Sequence, residues 1–272
     1  MYEKENGVIQ NIAKKVLAEV NKKLDSKLDV KEKTGPMDVA STIDFLADKL
    51  IIKELSKSFK NDVIVTEESS PELFSKLLKG EKGWVIDPIC GSENVVRRIK
   101  FFSTNIALVE SGSVKAAWVV DHALGRVIWS VGQGVFVGDK KIERPKIKLD
   151  RCKVIDVDKG YFSQLDPKTR NNFANLSKDI LLSENTNFRE LSSSLAFAYV
   201  ATGQIDSAIV INVKPWDLIA SCFLVEQSGG IATNFDGSKW DIKSKSAVLS
   251  AEKNIHKIIL NLIEKNGLRG IK

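Results

Sequence analysis

Residues 83–96 read Gly83-Trp84-Val85-Ile86-Asp87-Pro88-Ile89-Cys90-Gly91-Ser92-Glu93-Asn94-Val95-Val96. The first four residues form an apolar, strand-like run that ends in a carboxylate. The last four can start a helix, with Gly91-Ser92 at its mouth. A helix N-terminus offers unpaired N–H groups and a partial positive charge to an anion. A carboxylate offers hard oxygen to a hard cation such as Mg²⁺. The stretch is therefore a place where a cation and a phosphate can meet. Asp-Pro also opens ordinary turns, so the hexapeptide by itself reads equally well as a turn followed by a helix cap.

Other acidic segments repeat the pattern. Val63-Ile64-Val65-Thr66-Glu67-Glu68 is a β-branched run that ends in two carboxylates. Pro215-Trp216-Asp217 precedes the apolar segment 218–225. There Pro suits the first turn of a helix and Asp lies in that turn. Asp38-Val39-Ala40-Ser41-Thr42-Ile43-Asp44 opens a further helical stretch. If these acids converge they form a metal site; scattered, they are caps and surface charge.

Between them the chain alternates. Val8, Ile12, Val16 and Val20 recur every four residues and predict a helix from Val8 to Val30. A second helix is predicted from Ser41 to Ser58, capped by Ser41 or Thr42. A strand leads into Glu67, a short helix lies near 72–79, and a strand leads into Asp87. Strands follow at 103–109, 114–120, 126–130 and 134–137, with Ser111-Gly112-Ser113 as a hairpin turn. The charged stretch 138–148 reads as a link between halves. Beyond it, strands are predicted near 153–157, 208–211, 230–233 and 247–250. Helices are predicted near 167–176, 193–201, 215–226 and 252–265. Helices and strands mixed in this way indicate an α+β or mixed α/β chain whose sheets are covered by helices.

Taken together, Glu67-Glu68, Asp87-Pro88-Ile89-Cys90-Gly91-Ser92, Trp216-Asp217 and Glu226-Gln227-Ser228-Gly229-Gly230 resemble the motifs of the inositol monophosphatase and fructose-1,6-bisphosphatase family, in order and nearly in spacing. The resemblance covers almost the whole chain. It implies an α+β fold, a layered αβαβα sandwich, with residues 1–140 as the N-terminal subdomain and 141–272 as the C-terminal one. It implies a magnesium-dependent phosphatase, with Mg²⁺ or Mn²⁺ as cofactor, that hydrolyses a small phosphorylated sugar or polyol. It also implies a homodimer.

Carried over on the matching positions, Glu67, Asp87 and the carbonyl of Ile89 hold one cation, and Asp87 and Asp217 a second. Asp44 faces a third, more loosely held ion or the attacking water, and the Ser92 hydroxyl bonds Asp44 and helps position that water. The N–H groups of Gly91 and Ser92 bind the phosphate. Metals activate water and neutralise a leaving oxygen, and phosphoryl transfer needs mainly that positioning and charge stabilisation.

The chain departs from the family pattern at Cys90, where the family carries an Asp that binds metal. Soft sulfur suits Mg²⁺ poorly, so Cys90 opens the alternative of a degenerate member that binds phosphorylated ligands or protein partners with little turnover. Two further departures bear on the substrate. Leu191 stands where the family has a Gly and is expected to narrow the pocket. Val210 stands where inositol-hydrolysing members carry an acid. Arg97, Arg98 and Lys100 follow the phosphate loop, either as a second anion site or as a solvated helix end. Glu93 reads either as a stand-in for the missing carboxylate or as a first-turn acid.

Composition bounds the rest. The chain has 272 residues, enough for a large core, and is 28% charged and 43% hydrophobic, as ordinary globular proteins are. The net charge of +6 comes from lysines interspersed with acids, without the aromatic interleaving that single strands favour, so no nucleic-acid partner is expected. Cys90, Cys152 and Cys222 make an odd set without metal-type spacing. The N-terminus shows no secretory pattern and no run is long enough to span a membrane. A cytoplasmic protein without a membrane partner is expected. His122 and His256 are the two histidines, too few and too far apart for a histidine metal site or a Ser-His triad.

Overall fold

The computed structural model describes residues 2–35, 38–143 and 152–271. Its elements in chain order begin with α1 (Glu3–Leu24), the hairpin β1 (Val30–Gly35) and β2 (Asp38–Ser41), and α2 (Thr42–Ser58). Next come β3 (Val63–Thr66), α3 (Phe74–Leu78), β4 (Gly83–Cys90) and α4 (Ser92–Val96). A meander follows: β5 (Ser103–Glu110), β6 (Ser113–Asp121), β7 (Arg126–Ser130), β8 (Val135–Val137) and β9 (Lys140–Ile142). The rest is β10 (Lys153–Asp158), α5 (Pro167–Leu181), β11 (Thr186–Arg189), α6 (Leu195–Thr202), β12 (Ser207–Val210), α7 (Pro215–Gln227), β13 (Ile231–Thr233), β14 (Ala247–Ser250) and α8 (Lys253–Lys265).

Strand alternation builds the layers. Side chains along a strand point to opposite faces in turn. In β4, Trp84 and Ile86 share a core with Ile9, Ile12 and Val16 of α1 and with Ile43, Ala47 and Ile51 of α2. Val85, between them, joins a different core formed with α6 and α7. β12 does the same at the other end. Ala208 and Val210 pack toward α6 and α7, while Ile209 packs with Phe173 and Ile180 of α5 and with Ile259 and Ile263 of α8. The order is helices, sheet, helices, sheet, helices: an αβαβα sandwich of the α+β class.

The middle helices show their position in their composition. All eight residues of α6 are buried, and α7 is buried from Leu218 through Val225. A helix apolar all round belongs in a core. Burial of each large aliphatic or aromatic side chain there contributes about 1.5–3 kcal/mol. Trp84 and Trp118 are fully buried, yet each indole N–H has an acceptor, Asp62 at 3.0 Å and Asn6 at 2.9 Å.

Among the described residues the larger sheet runs β3-β4-β5-β6-β7-β8-β9 and the smaller β11-β10-β12-β14-β13. β3 and β4 are parallel, so both deliver their C-terminal acids to the same edge of the sandwich.

Several boundaries differ from the sequence reading. α1 starts earlier and stops at Leu24, where the Ser26 hydroxyl donates to the Lys23 carbonyl at 2.8 Å and the chain then turns into β1. The hairpin β1–β2 and the strands β9 and β11 were not anticipated. β9 occupies part of the stretch read as a charged link, and residues 144–148 of that stretch lie outside the described residues. Helix α5 continues to Leu181, past the predicted end.

Candidate metal and phosphate site

The strand β4 does not stop at Asp87. Its pairing with β5 continues to Cys90↔Ser103, with a register shift between Asp87 and Cys90. Such a bulge bends the strand and re-aims side chains. Gly91 follows with φ 102°, a backbone conformation that other residues rarely adopt. A Cβ there would meet Ser193 Cβ at 3.1 Å and Phe102 Cβ at 3.2 Å. Glycine is thus required by both conformation and space. Ser92 then opens α4. Its hydroxyl donates to Asp44 of α2 and lies 3.0 Å from the Ile89 carbonyl oxygen.

Asp44 is 1% exposed and closes a capping box. Its Oδ2 accepts from the Ser41 backbone N–H at 2.8 Å and the Ser41 hydroxyl at 2.6 Å. Asp217 caps α7 in the same manner, accepting the Lys214 N–H at 2.9 Å, with Pro215 in the first turn. Glu67 continues from β3, its N–H donating to the Ile86 carbonyl at 3.2 Å. That bond places Glu67 beside Asp87.

These elements surround a cavity of about 550 Å³ lined by Glu67, Asp87, Ile89, Cys90, Gly91, Ser92 and Asp217. Asp44 stands behind it, reached through Ser92. Carboxylate oxygens of Asp87 and Asp217 and the Sγ of Cys90 lie within 4.8 Å of one another. Glu67, Asp87, Ile89, Cys90, Gly91, Ser92 and Asp217 thus come together around one cavity, with Asp44 held behind Ser92.

The electrostatics are those of crowded acids. Burial raises Asp87 well above the usual carboxylate range, and the charges of Glu67 and Asp217 raise it further. Glu67 is pushed up to about 7 by burial and then by Asp217, against the pull of Lys33. Asp217 reaches about 7 by burial, opposed by the Lys214 N–H and reinforced by Asp158. Burial raises Asp44 and the Cys90 thiol. Both Asp87 oxygens are buried without a hydrogen-bond partner. A buried carboxylate in that state costs several kcal/mol unless it neutralises or meets a cation. The three carboxylates and the Ile89 carbonyl are hard oxygen donors that fit a hard divalent cation; the Cys90 sulfur does not.

The remaining expectations divide. Leu191 does not narrow the pocket: its side chain packs on the central core and its N–H donates to Asp156 at 3.0 Å. Val210 is fully buried in that core. Glu93 lines the cavity and pairs with Arg97, and Arg98 donates to the Ser26 carbonyl at 2.6 Å. Neither arginine lines the cavity. His122 and His256 are buried among core groups, held down to about 3 and about 4 by burial. Sequence reasoning missed Lys33, which bridges Glu67 at 2.8 Å and Glu68. It also missed Asp158, Lys159 and Arg170, which line the same cavity. Asp158 carried a usable signal, a carboxylate ending an apolar strand just before Lys159-Gly160.

Known proteins are similar to this chain in sequence and fold. The Thermotoga maritima protein called fructose-1,6-bisphosphatase/inositol-1-monophosphatase is 28% identical over 88% of this chain and 89% of its own length. Nus factor SuhB of Pasteurella multocida is 30% identical over 84% of this chain and 83% of its own. A solved IMPase structure from Thermotoga maritima superposes with a TM-score of 0.82 at 26% identity, covering 98% of each chain. The expectation that no nucleic acid is involved finds no support in these likenesses. The family, one of metal-dependent phosphatases, matches residues 2–268. With the sandwich, the cavity and the gathered acids already in place, the chain belongs to the inositol monophosphatase family.

Proposed function

We propose that this chain is a magnesium- or manganese-dependent phosphatase acting on a small phosphorylated sugar or polyol. The observation that carries the reading is Asp87: both oxygens buried, unpartnered and facing Glu67 and Asp217 across one cavity. Glu67, Asp87 and the Ile89 carbonyl would hold one cation, and Asp87 with Asp217 a second. When bound, such cations neutralise charge on the phosphoryl and leaving oxygens and favour ionisation of water.

The chain's own groups do the positioning. Asp44 holds the Ser92 hydroxyl, and the two orient the water that attacks phosphorus. The Gly91 and Ser92 N–H groups face the phosphate oxygens. Arg170, and Lys159 beside its ion-pair partner Glu190 at 3.1 Å, also line the cavity and suit a second anionic group, which favours a sugar bisphosphate within the class. The halves 1–140 and 141–272 supply the two walls in this reading, and a cytoplasmic homodimer belongs to it. No described helix is long and apolar enough to cross a membrane.

Phosphate release from inositol, fructose and nucleotide phosphates, run across a Mg²⁺ titration, tests the reading. Release that requires the cation supports it. No release from any member of the panel moves the assignment to the second reading, a family member that binds phosphorylated ligands or protein partners without turnover. Cys90 favours that second reading, as do relatives named as Nus factors.

A further inference from the structure

The floor of the cavity presents a mixed donor set. Asp87, Cys90 and Asp217 offer two carboxylates and one sulfur, with donor atoms within 4.8 Å of one another. Donors bonded at about 2.0–2.3 Å to a tetrahedral zinc stand ~3.3–3.8 Å apart. The three donor atoms are near enough for side-chain rotation to bring them onto a single cation.

Two independent observations point to a ligand there. Both Asp87 oxygens are buried and unpartnered. The Cys90 sulfur is itself oriented, because it accepts the Ser194 backbone N–H at 3.2 Å. The Ser193 hydroxyl donates to the Cys90 carbonyl at 2.8 Å and fixes the backbone that carries the sulfur. An N–H aimed at a cysteine sulfur is the kind of outer contact that orients a metal ligand. The other two cysteines are placed differently: Cys222 is buried in a helix core and Cys152 is exposed.

We propose that the Asp87–Cys90–Asp217 triad binds a thiophilic divalent cation of the zinc type in preference to magnesium. The inference rests on the reading of this cavity as a metal centre. Sulfur ligands select zinc and its soft neighbours, whereas all-oxygen sets suit magnesium and manganese. The thiol proton passes to solvent as the metal–sulfur bond forms. Replacing a family carboxylate with Cys90 thus changes which metal the site takes, rather than only weakening it.

Cobalt(II) added to chelator-stripped protein reports the ligand directly. The expected result is a thiolate-to-cobalt charge-transfer band that saturates at one equivalent. Zinc should abolish the band, and a large excess of magnesium should leave it. The band should vanish in Cys90→Ser and persist in Cys152→Ser. Cys90→Asp should lose the band and bind magnesium at least about ten-fold more tightly. A wild-type protein without the band, or a band that survives Cys90→Ser, overturns the proposal.

Alkylation of the wild-type protein covers the case in which the Cys90 variants fail to fold. Zinc should protect Cys90 from the reagent while Cys152 reacts; equal labelling of Cys90 with and without zinc overturns the proposal. None of these signals reads turnover. A cobalt–thiolate band without phosphatase activity sustains the metal preference and sinks the enzyme reading. Magnesium-dependent activity without the band does the reverse.

Discussion

The Ser92 hydroxyl donates to Asp44, 48 positions earlier in the chain, and so ties the mouth of α4 to the first turn of α2. Asp44 is nearly sealed from solvent and depends on that contact and on Ser41 for its partners.

Ser92→Ala should therefore leave a buried acceptor short of one bond. The expected cost is about 1–3 kcal/mol of stability, with a larger fall in kcat than rise in KM. Ser92→Thr keeps the hydroxyl and should restore both. Thermal melts and steady-state kinetics on the two variants check this; equal behaviour of Ala and Thr would show that the hydroxyl has no such role.

Gly91→Ala places a Cβ at φ 102° against Ser193 and Phe102. The strain should cost about 1–3 kcal/mol, a drop of roughly 2–12 °C in Tm for a chain of this size. A melt within a degree of wild type would mean that the loop relaxes without cost.

The crowded acids fix a pH dependence. Glu67, Glu68 and Asp217 are raised to about 7 and Asp87 is raised well above the usual carboxylate range, so the folded chain holds protons that the unfolded chain releases near pH 4. Stability from these groups is full below about pH 4 and lost as pH rises through about 7. Metal-free protein should melt lower at pH 8 than at pH 5.5, and added divalent cation should reverse most of the difference at pH 8. A metal-free Tm that rises over this window would contradict the burial and repulsion described here.

Arg170 lines the same cavity as the acids. Arg170→Met should raise KM for fructose-1,6-bisphosphate about 5–10-fold, roughly one charge-assisted hydrogen bond, and leave KM for a monophosphate nearly unchanged. Equal effects on both substrates would remove Arg170 from the substrate argument.

Much of the fold is legible in particular residues. Trp84, Val85 and Ile86 alternate between two cores, and the unbroken apolar run of α7 announces a helix between sheets. The gathered acids are legible as well, because each ends a strand or caps a helix in a recognisable motif. Lys33 is not. It lies in Val30-Lys31-Glu32-Lys33, which has no apolar face, at a register shift of β1 against β2, and its bridge to Glu67 is a tertiary contact. Leu191 misleads for a related reason. Its position in the sequence points to the pocket, but the hydrogen bond from its backbone to Asp156 accompanies a side chain turned into the core. Long-range pairing and side-chain direction are set by tertiary contacts that no local pattern records.

Calorimetric titration of Mn²⁺ into chelator-stripped protein, repeated with Asp87→Asn, tests the gathering of Glu67, Asp87 and Asp217 into one metal centre. The wild-type protein should bind at least one equivalent. Asp87→Asn should bind at least about 100-fold more weakly, and its metal-free form should melt no lower than wild type, since a buried and unpartnered carboxylate has been removed. An unchanged isotherm in Asp87→Asn would contradict the assignment.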